Sequence, residues 1–134
     1  MRTAAALCLL ALVTSGCGAA AKDSAKSFKG EEAAVAKVVE DLESAARKDK
    51  PDSVCAKLVD AKLLATLKTQ GTVCKTAIKE AFKDADSFDL SVDDVTINGA
   101  SATAKVTGGT GSDKKHYTLD LARTGATWKI SSLR

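Results

Sequence analysis

The chain reads as an α+β domain in which N-terminal helices pack on one face of a four-stranded antiparallel meander. Three observations carry this. Between Glu31 and Ala85 apolar residues recur at three- and four-residue steps, and from Phe88 to Ile130 they alternate at every second residue. Helical period first and strand period afterwards, without βαβ alternation, is the α+β order. The strand half also carries turn signals at hairpin spacing, Asn98-Gly99 and Thr124-Gly125.

The first helix follows from the stripe Val35, Val38, Val39, Leu42, Ala45 and Ala46. Glu31 and Glu32 suit its positive end, and Arg47 and Lys48 its negative end. Pro51 then breaks the chain and opens a short helix as its first residue, with Val54, Cys55 and Leu58 on the apolar side. Asp60 is placed to cap a turn carrying Leu63, Leu64 and Leu67, which Gly71 ends. Thr72 is placed to cap the last helix, whose stripe is Cys74, Ala77, Ile78, Ala81, Phe82 and Ala85.

After Asp86, Phe88, Leu90 and Val92 alternate, and Val95 and Ile97 continue in the opposite phase. The Asp93-Asp94 step between them predicts a bulge that restores the inward face. A two-residue Asn98-Gly99 loop pairs Ile97 with Ala100 and Val95 with Ala102, and Ala104 and Val106 extend the same face. Gly108 to Ser112 is a loop. Tyr117, Leu119 and Leu121 form a third strand, and the turn at Thr124-Gly125 sets Leu121 opposite Trp128 and Leu119 opposite Ile130. Thr103, Lys105, His116, Thr118, Asp120 and Lys129 then point outward.

The N-terminus carries an address. Arg2 precedes an apolar run from Ala4 to Val13, about ten residues, where a bilayer span needs roughly twenty. Ser15 and Gly16 follow, then Cys17, and the string Leu12-Val13-Thr14-Ser15-Gly16-Cys17 resembles the lipobox of bacterial lipoproteins. Thr14 stands where that family usually has Leu. The resemblance implies that residues 1–16 are a lipoprotein signal peptide and that the Cys17 thiol is acylated at the start of the mature chain. Residues 17–30, rich in Ala, Lys, Ser and Gly with a lone Phe28, read as a flexible tether, and 31–134 as a single domain.

Twenty basic and seventeen acidic residues are interleaved along the 134-residue chain, with a net charge of +3. That is no concentrated basic face, so nucleic acid is excluded as a partner and the lysines read as a solvated surface. Of four cysteines, Cys8 leaves with the signal and Cys17 carries lipid, which leaves Cys55 and Cys74. An even pair in an oxidising compartment predicts a disulfide closing a loop of about twenty residues, worth roughly 3 kcal/mol. Two cysteines and one histidine do not fill a zinc site, and a redox pair would be spaced C-x-x-C.

Catalytic chemistry finds little support. The only histidine, His116, and Asp120 fall on the outward parity of their strand. Tyr117 is the one ionisable residue on the apolar sheet face and is the candidate ligand-binding residue, but without an inward carboxylate or His it is a poor proton-transfer site. Glu43 and Glu80, flanking the helical stripes, are the acids closest to supplying one. Asp93-Asp94, with Asp84, Asp86 and Asp89 nearby, lacks the Gly and terminal Glu of a calcium loop. The stretch from Gly108 to Lys115 looks superficially like a phosphate loop, yet a strand rather than a helix follows it. No cofactor or metal is implied.

Taken together, the Glu31–Lys48 helix, the Pro51–Leu58 segment with Cys55, and Cys74 before four strands ending at Trp128-Lys129-Ile130 resemble the nuclear transport factor 2-like superfamily. The likeness covers about residues 31–134 and is greatest to small lipoproteins of that superfamily from Gram-positive actinobacteria. It implies a curved sheet wrapped round helices as a cone. The superfamily includes both enzymes and binding proteins, so fold does not settle function. The expected function is a lipid-anchored extracytoplasmic binding or interaction module at the cell envelope, without catalysis. Its partners would be the membrane, through acylated Cys17, and an envelope protein. The alternative is a carrier or enzyme using the cone on a small apolar ligand, marked by a cavity of about 300 Å³ or more lined by Tyr117.

Overall fold

The computed structural model describes residues 24–83, 89–109 and 112–134. The expected signal peptide of residues 1–16, with Cys17, Ala85 and Phe88, lies outside the described residues. No helix among the described residues is long and apolar enough to cross a membrane.

Helix α1 (Gly30–Arg47) lies on a curved, unclosed sheet of β1 (Leu90–Asn98), β2 (Ser101–Gly108), β3 (Lys115–Thr124) and β4 (Thr127–Leu133). The strands pair antiparallel in sequence order. Of the predicted stripe of α1, Val35, Val38 and Val39, with Ala36 added, are buried against Val95, Ala104, Val106, Leu119 and Leu121 of the sheet, Leu42 packs there partly buried, and Ala45 turns to Val54 and Val59. The domain begins earlier than Glu31. Ser24–Ser27 form a 3₁₀ turn, the Ala25 N–H donates to Glu40 Oε1 at 2.7 Å, and Ala25 and Phe28 pack against the core. An aromatic ring gains too much by burial to stay in a tether that runs beside an apolar surface.

The bulge falls where the two aspartates predict it. Val92 pairs with Val106 and Asp94 with Lys105, leaving Asp93 as the extra residue, so Val92 and Val95 both face the core. A second bulge was not foreseen. Asp120 pairs with Ser132 but Leu121 with Ile130, so Ser131 is extra and Leu133 comes opposite Leu119.

Both hairpins turn one residue later than the sequence reading has them. The loops are Gly99-Ala100 and Gly125-Ala126, with Asn98 paired to Ser101 and Thr124 to Thr127. Ile97 therefore meets Ala102 rather than Ala100, Val95 meets Ala104, and Leu121 meets Ile130 rather than Trp128. The reason is turn type. Gly99 and Gly125 have φ of 61° and 62°, while no Asn or Ala in these turns has positive φ. Positive φ at the first loop position alone is the requirement of a II′ turn rather than I′. A shift of two in partner number leaves every side chain on its predicted face, which is why the core survived the error in pairing.

Between α1 and β1 lies a helical lobe. Helix α2 (Pro51–Ser53) runs on as a π turn, Val54–Leu58, closed by the Val59 N–H on the Val54 carbonyl at 3.2 Å. Val59 forms a parallel bridge with Ile130, and the Asp60 N–H donates to the Ile130 carbonyl at 2.9 Å. Asp60 caps α3 (Ala61–Thr69) as predicted, its Oδ1 accepting from the Leu63 N–H at 2.7 Å. Helix α4 (Cys74–Ala81) has Val73, not Thr72, at its N-cap and no side-chain cap. The Cys55–Cys74 disulfide ties α4 to the π turn.

Candidate functional site

The interior holds the residue singled out from the sequence. Lobe and sheet enclose an apolar cavity of about 170 Å³, with Tyr117 on its wall beside Val54, Leu63, Phe82, Leu90 and Leu133. This is smaller than the roughly 300 Å³ typical of a small-molecule site. Tyr117 is half-buried and its ring covers Gly108. A Cβ built on Gly108 would stand 3.0 Å from the ring's Cε2 and 3.2 Å from Leu90. The ring thus fills the space of the missing side chain, a packing role, and its hydroxyl has no hydrogen-bond partner among the described residues.

Neither helical acid reaches that cavity. Glu80 is exposed and pairs with Lys83 at 2.6 Å. Glu43 is buried at 4% exposure, but Arg47 answers it, Nε donating to Oε1 at 2.9 Å. Arg47 also pairs with Asp89, just before β1. The hydrogen bond that Arg47 donates to Glu43, reinforced by the charges of Glu43 and Asp89, holds the Arg47 guanidinium pKa above its ordinary value despite some loss of hydration. Through Asp89 this arginine ties the end of α1 to the start of the sheet.

On the outward sheet face, Thr107 Oγ1 donates to Asp93 Oδ2 at 2.6 Å and lies 3.0 Å from His116 Nδ1. The carboxylate contacts the hydroxyl rather than the imidazole, so nothing orients His116 as a base in the manner of a triad. Arg134 grips Asp120 with its fork, Nε to Oδ2 at 2.9 Å and Nη2 to Oδ1 at 2.6 Å, and the same contacts raise the Arg134 pKa. Among the described residues no three His, Cys, Asp or Glu side chains converge as a metal site.

The larger concavity is outside. A groove of about 550 Å³ runs between α1, the Lys50–Leu58 stretch and the start of β4. Val38, Ala45, Leu58 and Trp128 give it an apolar floor, and Lys37, Lys48, Lys50 and Lys57 a cationic rim. Lys37 pairs with Asp41 at 2.9 Å. Lys48, Lys50 and Lys57 are exposed and have no side-chain partner among the described residues. Arg123 stacks on Trp128, 4.9 Å from the ring centroid, and pairs with Glu31 at the start of α1.

Sequence reading missed this groove because its lysines come from separate elements. The local signal was Lys48-Asp49-Lys50 before Pro51. Asp49 takes a left-handed φ of 47°, so the chain reverses there and folds the Pro51–Leu58 turns, with Lys57, back beside α1.

A scan against protein-family models finds no match for this chain, and a search of curated proteins finds none either. Solved structures do match. The de novo designed NTF2 fold protein NT-9 superposes with a TM-score of 0.53 at 16% identity, over 80% of this chain and 85% of the design. A chain of the type VI native effector–immunity complex Tae3–Tai3 from Ralstonia pickettii superposes with a TM-score of 0.50 at 16% identity. That match covers 79% of this chain and 94% of the other. At such identities the likeness is one of fold, and it supports the cone-like α+β architecture.

Proposed function

We propose that this chain is an interaction module, a lipoprotein held at the extracytoplasmic face of a membrane by acylated Cys17, and that it acts by binding another protein rather than by catalysis. The reading is carried by the contrast between inside and outside. The interior cavity has about 170 Å³ and, among the described residues, only Tyr117 as an ionisable wall residue, whereas about 550 Å³ of groove opens on the surface beside Lys48, Lys50 and Lys57, which have no side-chain partner among the described residues. The match to a chain of an effector–immunity complex adds that this fold also occurs in an assembly of two proteins.

The second reading, a carrier of a small apolar molecule, draws on the same cavity. An apolar cavity of about 150 Å³ takes a ligand the size of benzene, so about 170 Å³ admits little more.

Two measurements test the proposal. Two or three acyl chains at about 0.8 kcal/mol per buried CH₂ make anchoring stable. Cys17→Ser should therefore leave unprocessed precursor or release protein to the medium, and a processed form still fractionating with membranes removes the anchor. Native mass spectrometry of the acylated protein from its own host should show no small molecule retained one-to-one. A stoichiometric apolar ligand, lost on Leu63→Trp, moves the function inside the cone.

A further inference from the structure

We propose that the outer groove receives an extended acidic segment of a partner protein, laid against β4 as a short added strand at Trp128. This rests on the interaction-module reading and names its surface and its chemistry.

The backbone register is the first observation. Thr124 and Thr127 flank a two-residue turn, so that pair and Ala122–Lys129 exchange the ladder hydrogen bonds. Alternation then turns the N–H and C=O of Trp128 and Ile130 away from β3. Ile130 bears this out, because its carbonyl accepts from the Asp60 N–H at 2.9 Å on that outer side. Two residues earlier, Trp128 presents the same donor and acceptor at the groove, with no backbone partner among the described residues. The Val59–Asp60 segment occupies the edge only at Ile130. An unpaired edge is what strand addition uses.

Charge is the second. Four lysines stand against one carboxylate, Asp41, so the groove is complementary to acidic side chains. The floor is the third. In an extended segment successive side chains point to opposite sides, so apolar residues can reach Val38, Ala45 and Leu58 while their neighbours reach the ammonium rim. The stretch from Ala34 on α1 to Lys48 at its C-cap is ~21 Å long at 1.5 Å per residue, the reach of about six extended residues. A bilayer is too flat to enter the floor or meet the Trp128 amide. A helical ligand, away from its ends, has no free backbone groups to offer that amide.

The test uses the ¹⁵N-labelled full chain in detergent with a capped peptide, Glu-Val-Glu-Val-Glu-Val, and its Lys-for-Glu counterpart. The acidic peptide should shift amides of residues 127–129 and slow hydrogen exchange at Trp128 by about tenfold or more. The double variant Lys50→Glu, Lys57→Glu, confined to exposed positions clear of the α1 C-terminus, should keep the melting temperature and weaken binding about tenfold or more. Equal binding of the basic peptide, shifts that avoid β4, or an unprotected Trp128 overturns the proposal. So does lysine-dependent binding to anionic phosphatidylglycerol vesicles without peptide binding, which assigns the rim to the membrane. Photocrosslinking in host cells separates this failure from failure of the module reading. A protein captured from Lys105 on the outer sheet face but not from Lys57 removes the groove and leaves the module, whereas no protein from either position removes both.

Discussion

The sheet with α1, and the lobe from Pro51 to Lys83, are held by different means. Against the sheet, Val35, Val39, Val106 and Leu121 are sealed almost completely from water. In the lobe only Val54 is buried to that degree, and neither α3 nor α4 has a single buried residue. Leu63, Leu64, Ile78 and Phe82 are half-buried around Ala45, Val54 and Val59. The lobe makes up the difference with the Cys55–Cys74 bond, the Asp60 cap and the Val59–Ile130 bridge. One region is stabilised by apolar burial and the other by a few specific ties, so they should respond differently to the same insult.

The largest separation is expected from paired truncations. Leu121→Ala empties a site that is 1% exposed and should cost about 3–5 kcal/mol, unfolding the whole domain at a markedly lower temperature. Ile78→Ala, on α4, should cost about 1–2 kcal/mol, since the side chain is only partly buried and some of the surface it loses already faced water. Chemical denaturation of both variants measures this, and equal losses would erase the distinction between the regions.

Reduction sharpens the comparison by acting first on the lobe. Breaking a bridge with a separation of 19 residues removes roughly 3 kcal/mol in the chain-entropy model. Hydrogen exchange should then rise most across α3 and α4, which open with the lobe, and less in β2 and β3. A uniform rise over all elements would mean that the bridge supports the core directly. Peptide mapping without reductant should recover Cys55 joined to Cys74.

The smallest effect is reserved for the cap. Asp60→Ala removes the acceptor for the Leu63 N–H and should cost about 1 kcal/mol. Because the Asp60 backbone N–H still reaches Ile130, the loss should show as fraying of the first turn of α3. Exchange rates at Leu63 and Leu64 report it, and unchanged rates would remove the cap from the lobe's supports.

The same contrast explains what could be read in advance. Stripe, cap and first bulge were legible because each is a local pattern: Val35 to Ala46 at helical steps, Asp60 before Leu63, two aspartates where strand phase flips. The hairpin pairs were misread because Asn98 drew the turn toward itself, when Gly followed by Ala already meets the II′ requirement at both loops. Tyr117 could be placed on the inner face from parity, but Gly108 beneath it is a cross-strand relation seen only once β2 and β3 are in register. Phe28 was lost to a compositional argument about its neighbours. The groove was out of reach altogether, since Lys37, Lys48 and Lys57 become neighbours only after Asp49 and Pro51 reverse the chain.

The position of the lobe in the chain gives its covalent bond a role in assembly. Residues 48–89 form the whole connection between α1 and β1, so α1 meets the sheet only by closing a loop of about 42 residues. Bonding Cys55 to Cys74 cuts the free contour to about 24 residues, and the logarithmic cost of ring closure falls by about half a kcal/mol. That is a modest gain beside the lobe's own, but it acts before any native packing exists. A bond that lies outside the main core thus raises the encounter rate of the two elements that build it, and refolding of the oxidised chain should outpace that of the reduced one.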